Sequence, residues 1–337
     1  MTKLNCNNID MIELFCGAGL FGAAFEATGF RSKFSADQDQ DSIASLNRNH
    51  TSKSGAVHDV ADTLQLGCDL LVAGPPCQGF STLGKRDTKD ERNELSLLLI
   101  EWAKLNAPKV VVIENVPQFQ KSAFCGELIY WFEGSGYSTT KWVLDAQSFG
   151  APQKRLRSFT IFSKIGQPVK PMETGRSTTV RDAFQGLLEN SADAMHQAPP
   201  LSKLAKSRVE CIPPNGGKYD VMERRPDLCP ASWTKLGRQA VDVWGRMDFE
   251  TASNTIRCAF QNPSKGRYLH PEFDRVITLR EGARLQGVPD HWTFSGSRTS
   301  VARQIGNGVP LPLGKAIAQS IRQLFQNSSP SSSASIA

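Results

Sequence analysis

The sequence predicts an α/β protein built on a doubly wound sheet, with a smaller and irregular second domain. Two observations carry this prediction. Between residues 9 and 162, short apolar runs rich in β-branched residues alternate with helical stretches, which is typical of a parallel sheet covered by helices. After about residue 167, Pro, Gly, Ser and Asn become frequent and the periodicity fades, so we place a domain boundary there.

The elements follow these runs in order. We predict strands at residues 9–15, 31–36, 69–73, 110–114, 138–144 and 159–163, and helices at 21–28, 41–49, 95–105 and 124–134. Residues 167–261 are expected to be irregular or to form short strands. Regular structure is expected again at 275–285 and in a helix at 313–325. Sheets of this kind bind ligands at the carboxyl ends of their strands, so the residues after each strand are site candidates.

Composition limits the classes of protein. The 337 residues are 39% hydrophobic, enough for a full core, and no apolar run suggests a membrane span or a secretion signal. The eight cysteines form no Cys-x-x-Cys pair, which argues against zinc and disulfides and favours a reducing cytoplasm. Residues 201–270 hold 12 Lys or Arg against 7 Asp or Glu, so this segment is either a phosphate-facing surface or a solvated basic region.

The first strand ends in a glycine-rich turn at residues 13–19. Gly17 and Gly19 suit a nucleoside cofactor, but a tight strand-to-helix connection explains them equally well. Asp37, which follows the second strand, is placed to bind ribose hydroxyls, and the two features together favour a nucleoside-containing cofactor. No phosphate-binding Lys-Ser or Lys-Thr loop is present, which argues against ATP and GTP.

The third strand leads into residues 74–81. Cys77 follows two prolines and is flanked by glycines, so we expect it on a stiff, exposed loop at the ligand edge, where it is a candidate nucleophile. The alternative is a turn cysteine with no chemical role.

A carboxylate and two arginines follow later strands. Glu114 comes after four apolar residues, and burial would raise its pKa toward a range in which it can donate a proton; a helix cap or a salt bridge is the alternative. Arg155 and Arg157 are two residues apart in an extended segment, so they are expected on one side of it, where they suit oxygen acceptors or phosphate.

Residues 74–78, 114–116 and 153–157 occur in the order and spacing seen in bacterial DNA (cytosine-5-)-methyltransferases, and the chain resembles that family. Residues 270–289 and 304–310 are similar to its last two conserved blocks. The resemblance covers residues 10–325 except for 167–243, where the family keeps its variable target-recognition region. It implies a Rossmann-like S-adenosylmethionine-dependent methyltransferase sheet with a smaller target-recognition domain.

The resemblance also implies a division of the chain. Residues 1–167 would form the catalytic and cofactor-binding domain and residues 168–290 the target-recognition domain, whose variable part is about 168–243. Residues 291–326 would return to the catalytic domain, and the Ser-rich residues 327–337 would be a disordered tail.

The implied reaction is methyl transfer from S-adenosylmethionine to carbon 5 of a flipped-out cytosine, with S-adenosylhomocysteine as product and no metal. Cys77 would attack carbon 6, which makes carbon 5 enamine-like. Glu114 would bind ring nitrogen 3 and protonate the ring, Arg157 would hold the cytosine O2, and Arg155 would support the loop. Flipping the base out of the duplex is needed because a stacked cytosine cannot present carbon 6.

The family pattern also assigns the cofactor pocket. Its predicted residues are Phe15, Gly17, Gly19, Asp37, Gln38, Asp59, Val60, Pro76, Leu95, Asn307 and Val309. Glu13, Leu20 and Gln38 stand where the family more often has Asp, Gly and an aromatic residue. These departures would weaken cofactor binding without removing a reacting group.

The expected partner is double-stranded DNA with a short specific target. The loop after Cys77 resembles the family's mobile lid, and the basic segment would read bases in the major groove. The predicted DNA-binding residues are Gln78, Ser81, Lys85, Arg86, Lys89, Arg92, Arg224, Arg225, Lys235 and Arg238. We expect a cytoplasmic monomer, associated with the nucleoid in use and not with a membrane, that serves as the modification arm of a restriction-modification system with a cognate endonuclease.

Other classes stay open at this point. They are an RNA cytosine-5 methyltransferase of the transfer-RNA branch, a catalytically silent DNA-binding relative, and a nicotinamide-dependent oxidoreductase. Residues 77–81 resemble the DNA enzymes more than the RNA branch, and an oxidoreductase would leave residues 77–81 and 304–310 unexplained.

Overall fold

A computed structural model describes residues 9–50, 53–55, 66–76, 97–189, 191–235 and 241–328, with only the backbone of residues 53–55, 234 and 235. These residues form two compact units. The first comprises the described residues up to Asp145, Leu156–Thr174 and the described residues from Leu311 onward. The second comprises Ala146–Arg155 and Gly175–Pro310.

A seven-stranded sheet forms the centre of the first unit. Its strand order is β3-β2-β1-β4-β5-β7-β6. The strands are β1 (Ile9–Leu14), β2 (Phe30–Ala36), β3 (Lys53–Gly55), β4 (Leu70–Ala73), β5 (Val110–Asn115), β6 (Ser138–Asp145) and β7 (Leu156–Ser163). Buried aliphatic residues fill β4 and most of β1 and β5, as expected for strands covered on both faces.

The prediction of a parallel sheet is correct for β1–β5 but wrong for β7. This strand is antiparallel to both of its neighbours, β5 and β6. The segment that joins β6 to β7 is too short to hold a crossover helix, and short connections join antiparallel strands. β7 also begins at Leu156, earlier than predicted, because its ladder with β6 continues beyond the apolar run at 159–163.

Among its described residues, the first unit contains five α-helices. They are α1 (Leu20–Glu26), α2 (Gln40–Asn49), α3 (Leu98–Asn106), α4 (Ala123–Gly134) and α11 (Leu311–Ser328). Helix α11 packs on α1, and a Cβ atom added at Gly314 would lie 2.7 Å from the Cβ atom of Ala24. Helix α11 includes two residues of the predicted tail, and the remaining tail residues lie outside the described ones. Within the described ranges, no helix combines the length and apolar character that a membrane span requires.

The second unit contains short helices. They are α5 (Val180–Phe184), α6 (Lys203–Val209), α7 (Lys218–Arg224), α8 (Ala231–Lys235), α9 (Leu279–Leu285) and α10 (Arg298–Asn307). Its described residues contain isolated bridges but no strand, so of the two alternatives expected for residues 167–261 the irregular one agrees with the structure, and the short helices were not predicted. Arg246 is 4% exposed and donates hydrogen bonds to the backbone oxygens of Val209, Ile212, His270 and Phe273. Buried polar side chains thus join loops that have no ladder of their own.

Candidate active site and cofactor-binding turn

Glu114 lies at the carboxyl end of β5, where the sequence places a reacting carboxylate. The side chains before it, Val110 to Ile113, are at most 1% exposed, and Glu114 itself is 8% exposed. Its Oε1 lies 2.7 Å from the Nε of Arg157 on β7. The structure therefore brings two predicted catalytic residues together, and Arg157 compensates a carboxylate charge that would be costly to bury alone.

The base of the Cys77 loop is fixed beside this pair. Asn115 donates from Nδ2 to the carbonyl oxygen of Pro75 over 3.1 Å. A Cβ atom at Gly74 would lie 3.6 Å from Glu114 Oε2 and 3.7 Å from the carbonyl oxygen of Phe15. The ends of β1, β4 and β5 therefore meet at Gly74. Cys77 itself lies outside the described residues.

Arg155 and Arg157 have different partners. Arg155 is 2% exposed and donates to the carbonyl oxygens of Ile256 and Gly306, each over 2.8 Å. These contacts lie within the second unit and tie three segments of it together, whereas the guanidinium of Arg157 is held by Glu114. A supporting role for Arg155 and a substrate-facing role for Arg157 agree with this arrangement.

The glycine-rich turn is the second predicted centre of chemistry. Gly17 and Gly19 have φ values of +53° and +81°, a region that side chains disfavour, so glycine is needed for the turn. Asp37, at the end of β2, accepts the Gly17 N–H at Oδ2 over 2.8 Å and the Asp39 N–H at Oδ1 over 2.9 Å. Gly17 and Asp37, which were predicted to belong to one cofactor site, are therefore hydrogen-bonded to each other.

One side of this turn is open among the described residues. The Asp37 carboxylate, at the end of β2, binds the backbone N–H groups of Gly17 and Asp39, and a carboxylate in this position is the acceptor that ribose hydroxyls use in doubly wound folds. A Cβ atom at Gly17 would meet no described atom within 4 Å. The chemistry of the donor set therefore suits a nucleoside-containing cofactor.

Other predicted cofactor residues fall into three groups. Phe15 is half-buried with a φ of +56°, Gln38 is exposed, and Pro76 is half-buried, all in the first unit. Asn307 and Val309 belong to the second unit; Asn307 Oδ1 accepts from the Cys258 thiol over 2.9 Å, and Val309 is buried. Asp59, Val60 and Leu95 lie outside the described residues.

Two of the predicted DNA-binding residues have described side chains. Arg224 is exposed and donates to the carbonyl oxygen of Cys211, and Arg225 is exposed but forms a two-pronged pair with Asp227 over 2.8 and 2.6 Å. The side chain of Lys235 is not among those described. Gln78, Ser81, Lys85, Arg86, Lys89, Arg92 and Arg238 lie outside the described ranges.

Sequence reasoning missed a buried amide pair in the second unit. Gln153 and Gln286 are both fully buried and hydrogen-bond to each other over 2.9 Å. Gln153 also accepts the N–H of Ile256, and Gln286 donates to the carbonyl oxygen of Ile305 over 2.6 Å. In the sequence, only their positions within the motifs at residues 153–157 and 270–289 indicated that they are important. The pair fixes the segment that carries Arg155.

One group in the described chain has the composition of a metal site. Ligand atoms of Glu189, His196 and Glu281 lie within 4.8 Å of one another. Arg275 binds both carboxylates, at 2.8 Å in the case of Glu281. A guanidinium therefore already balances the charges that a cation would balance.

The fold and these two centres define a class. The doubly wound sheet has a glycine-rich turn hydrogen-bonded to the aspartate that follows β2, and a carboxylate–arginine pair beside the Gly74–Pro76 segment. This is the fold of an S-adenosylmethionine-dependent methyltransferase.

Comparison with known proteins gives the family. The model of the C-5 cytosine-specific DNA methylase family matches residues 9–323, and the chain belongs to that family as a DNA (cytosine-5-)-methyltransferase. The type II methyltransferase M.XorII of Xanthomonas oryzae pv. oryzae is 31% identical, with 94% of this chain and 85% of the relative covered. M1.HphI of Haemophilus parahaemolyticus is 30% identical, with 96% and 89% covered.

A solved structure shares the fold. A DNA modification methyltransferase encoded within an E. coli prophage matches with a TM-score of 0.68 and 23% identity, over 94% of this chain and 99% of that one. The predicted resemblance and the methyltransferase fold class are confirmed.

Proposed function

We propose that this DNA methyltransferase uses Cys77 as a covalent nucleophile on a flipped-out cytosine, with Glu114 and Arg157 as its substrate-binding partners. The observation that supports this most directly is the bond between Asn115 and Pro75. It holds the base of the Cys77 loop against the strand end that carries Glu114. A nucleophile and an acid must both reach one small ring, and neighbouring strand ends meet this requirement.

Each residue has a distinct task in this proposal. The Cys77 thiolate forms a bond to carbon 6, and Glu114 gives a proton to ring nitrogen 3, so that the ring electrons gather at carbon 5. Arg157 donates to the O2 atom and orients Glu114. S-adenosylmethionine, held at the Gly17–Asp37 turn, would supply the methyl group and leave as S-adenosylhomocysteine. A base then removes the proton from carbon 5, the thiolate leaves carbon 6, and nitrogen 3 returns its proton to Glu114.

The remaining expectations are proposals of the same kind. Two type II methyltransferases among the relatives support a role as the modification arm of a restriction-modification system in the bacterial cytoplasm. The substrate would be duplex DNA, contacted by the loop after Cys77 and by the basic second unit, whose Arg224 is exposed. We propose a monomer, because one recognition segment suffices to read a short site.

Transfer of labelled methyl groups tests this function. Purified protein is given labelled S-adenosylmethionine with mixed-sequence duplex DNA, with the same duplex made with 5-methylcytosine, or with RNA. We expect label only in the unmodified duplex, recovered as 5-methylcytosine. Label in RNA, or in none of the three, would overturn the proposal. Protection of the methylated DNA against one restriction endonuclease in a panel would then identify the target.

A further inference from the structure

A buried ion pair lies under the cofactor-binding turn. His50 follows α2, its side chain is 3% exposed, and its Nδ1 lies 2.6 Å from the Oε2 of Glu26 on α1. No motif in the sequence pointed to either residue. Both belong to the first unit, and Glu26 is 29% exposed, so protons can exchange with solvent.

The imidazole of His50 packs directly against Gly19. A Cβ atom at Gly19 would lie 2.7 Å from His50 Nε2 and 2.8 Å from a methyl carbon of Leu46. Gly19 has a φ of +81° and precedes the first residue of α1. The position and charge of His50 therefore act on the turn whose other glycine, Gly17, is bonded to Asp37.

We propose that Glu26 and His50 are positioning residues for S-adenosylmethionine, because the charged pair holds the Gly17–Gly19 turn in its binding shape and loss of the His50 proton loosens it. This inference rests on the proposed function. It adds that the Glu26–His50 ion pair, which lies outside the family motifs, makes the affinity for S-adenosylmethionine depend on pH.

The physical reason lies in the two ring nitrogens. Neutral His50 keeps one N–H, which the carboxylate of Glu26 retains at Nδ1, whereas protonated His50 has a second N–H at Nε2, the atom nearest to Gly19. Burial alone would lower the pKa of His50. The hydrogen bond and charge of Glu26, with Glu13 and the backbone of Gly19, outweigh burial and raise this pKa.

The surrounding charges are few among the described residues. Glu26 on α1 and Glu13 on β1 face His50, and Asp37 and Cys16 lie beyond Glu13. Glu13 is 2% exposed and accepts the Gly22 N–H over 2.9 Å, and burial raises its pKa to about 8. Its ionisation would strengthen the charge on His50 at higher pH, so the test must separate the two groups.

Calorimetric titration with S-adenosylmethionine from about pH 6 to pH 9 tests the proposal. Glu26→Gln keeps the size and the hydrogen bond but removes the charge, so His50 should lose its extra proton near neutral pH. We expect Glu26→Gln and His50→Gln to raise Kd about tenfold near pH 7, since hydrogen bonds to charged groups are worth at least that factor. The ratio of variant to wild-type Kd should fall toward one as pH rises, and this ratio cancels the titration of the ligand.

Three further variants provide controls. Glu101→Gln and His291→Gln change exposed residues of the same types and should leave Kd unaltered. Glu13→Gln removes the second titrating group, and the pH dependence of Kd should persist in it. A structural role alone would shift Kd by a constant factor. NMR titration of the His50 imidazole in the wild type gives a second measurement. If protonated His50 favours S-adenosylmethionine, then binding of S-adenosylmethionine should raise the pKa of His50 to the same extent.

The outcomes are distinguishable. This inference would be overturned if folded Glu26→Gln and His50→Gln bound S-adenosylmethionine like the wild type at every pH. It would also be overturned if the ratio of variant to wild-type Kd did not change with pH. Either result would leave the proposed function unaffected. A wild-type protein that binds no S-adenosylmethionine would overturn both.

Discussion

The two compact units bury different kinds of side chain. In the first, the central strands are lined by Val, Leu, Ile and Ala at 0–1% exposure, whereas in the second the fully or nearly buried side chains include Gln153, Arg155, Arg246 and Gln286. A sheet pairs its own backbone groups, while short helices and loops leave carbonyls that side chains must satisfy. The first unit is therefore held by apolar packing around a ladder, whereas the second adds specific polar contacts to an apolar cluster that includes Trp244, Leu269 and Val276.

The site reflects this difference. The proposed reacting groups Glu114 and Arg157 lie on strands of the apolar sheet, whereas Arg155 is held by carbonyl oxygens of the second unit. We therefore expect substitution of Glu114 in the first unit to reduce catalysis with little loss of stability, and substitution of buried polar side chains in the second unit to reduce stability.

The largest effect is expected at Glu114. Glu114→Gln should lower kcat by about two to four orders of magnitude, the usual contribution of a positioned acid. The free energy of unfolding should change little, because the amide can still accept from Arg157. Single-turnover methyl transfer and urea unfolding measure the two quantities, with the exposed Glu101→Gln as the matched control. A loss of stability with normal kcat would place Glu114 among purely structural residues.

Arg246 should dominate the stability of the second unit. Arg246→Leu keeps an apolar side chain but removes one donor from each of four carbonyl oxygens and the ion-pair partner of Asp274, and it should cost about 3–5 kcal/mol of unfolding free energy. The exposed Arg224→Leu, which breaks one bond, should cost about 0.5 kcal/mol or less. Equal costs in denaturant unfolding would contradict the claim that the second unit depends on its buried polar contacts, because Arg224 and Arg246 both belong to that unit.

Two buried groups, one in each unit, should contribute to stability with opposite dependence on pH. Burial, with Arg275 and Arg246 nearby, lowers the pKa of His270 to about 3, below its unfolded value, so its contribution to stability is present near neutral pH and lost as pH falls. Burial raises the pKa of Glu13 to about 8, so its contribution is present at low pH and lost as pH rises.

Urea unfolding of the wild type and two variants tests these signs. His270→Asn keeps an acceptor for the N–H groups of Glu272 and Phe273, and Glu13→Gln keeps one for Gly22. The measured quantity is the difference in unfolding free energy between the wild type and each variant, from about pH 8 to pH 5. This difference should shrink as pH falls for His270→Asn, and it should shrink as pH rises for Glu13→Gln. Differences that do not vary with pH would contradict both assignments.

The smallest effect is expected in the apolar sheet. Ile12→Val removes one methylene from a fully buried site on β1 and should cost about 0.5–1.5 kcal/mol. Methyl transfer should stay near the wild-type rate. A cost as large as that of Arg246→Leu, measured in the same denaturant series, would show that both units depend equally on precise contacts.

The same difference explains what sequence could predict. Strands β1, β2, β4 and β5 were predicted to within two residues, because continuous apolar runs mark buried parallel strands. The antiparallel direction of β7 was not predicted, because hydrophobic periodicity carries no information on how strands pair. Helix α10 was also missed, since its sequence was interpreted only as a motif.

At the candidate site, the grouping of Gly17 with Asp37 and the position of Glu114 followed from strand ends, but the hydrogen bond between Gly17 and Asp37 did not. A salt bridge had been considered as the alternative to a proton-donating role of Glu114, but its partner Arg157 had not been predicted. The contacts of Gln153, Arg246 and His50 join residues far apart in the chain, and no local pattern encodes which carbonyl or carboxylate such a side chain will meet.

Formation of a trapped covalent adduct tests the central claim most directly. Duplex DNA that contains 5-fluorocytosine leaves no proton on carbon 5 after methyl transfer, so the bond to the nucleophile should persist through denaturing electrophoresis. With S-adenosylmethionine present, we predict an adduct for the wild type and for the control Cys229→Ala, and none for Cys77→Ala. An adduct that survives in Cys77→Ala, or no adduct on DNA that contains every short site, would contradict the account.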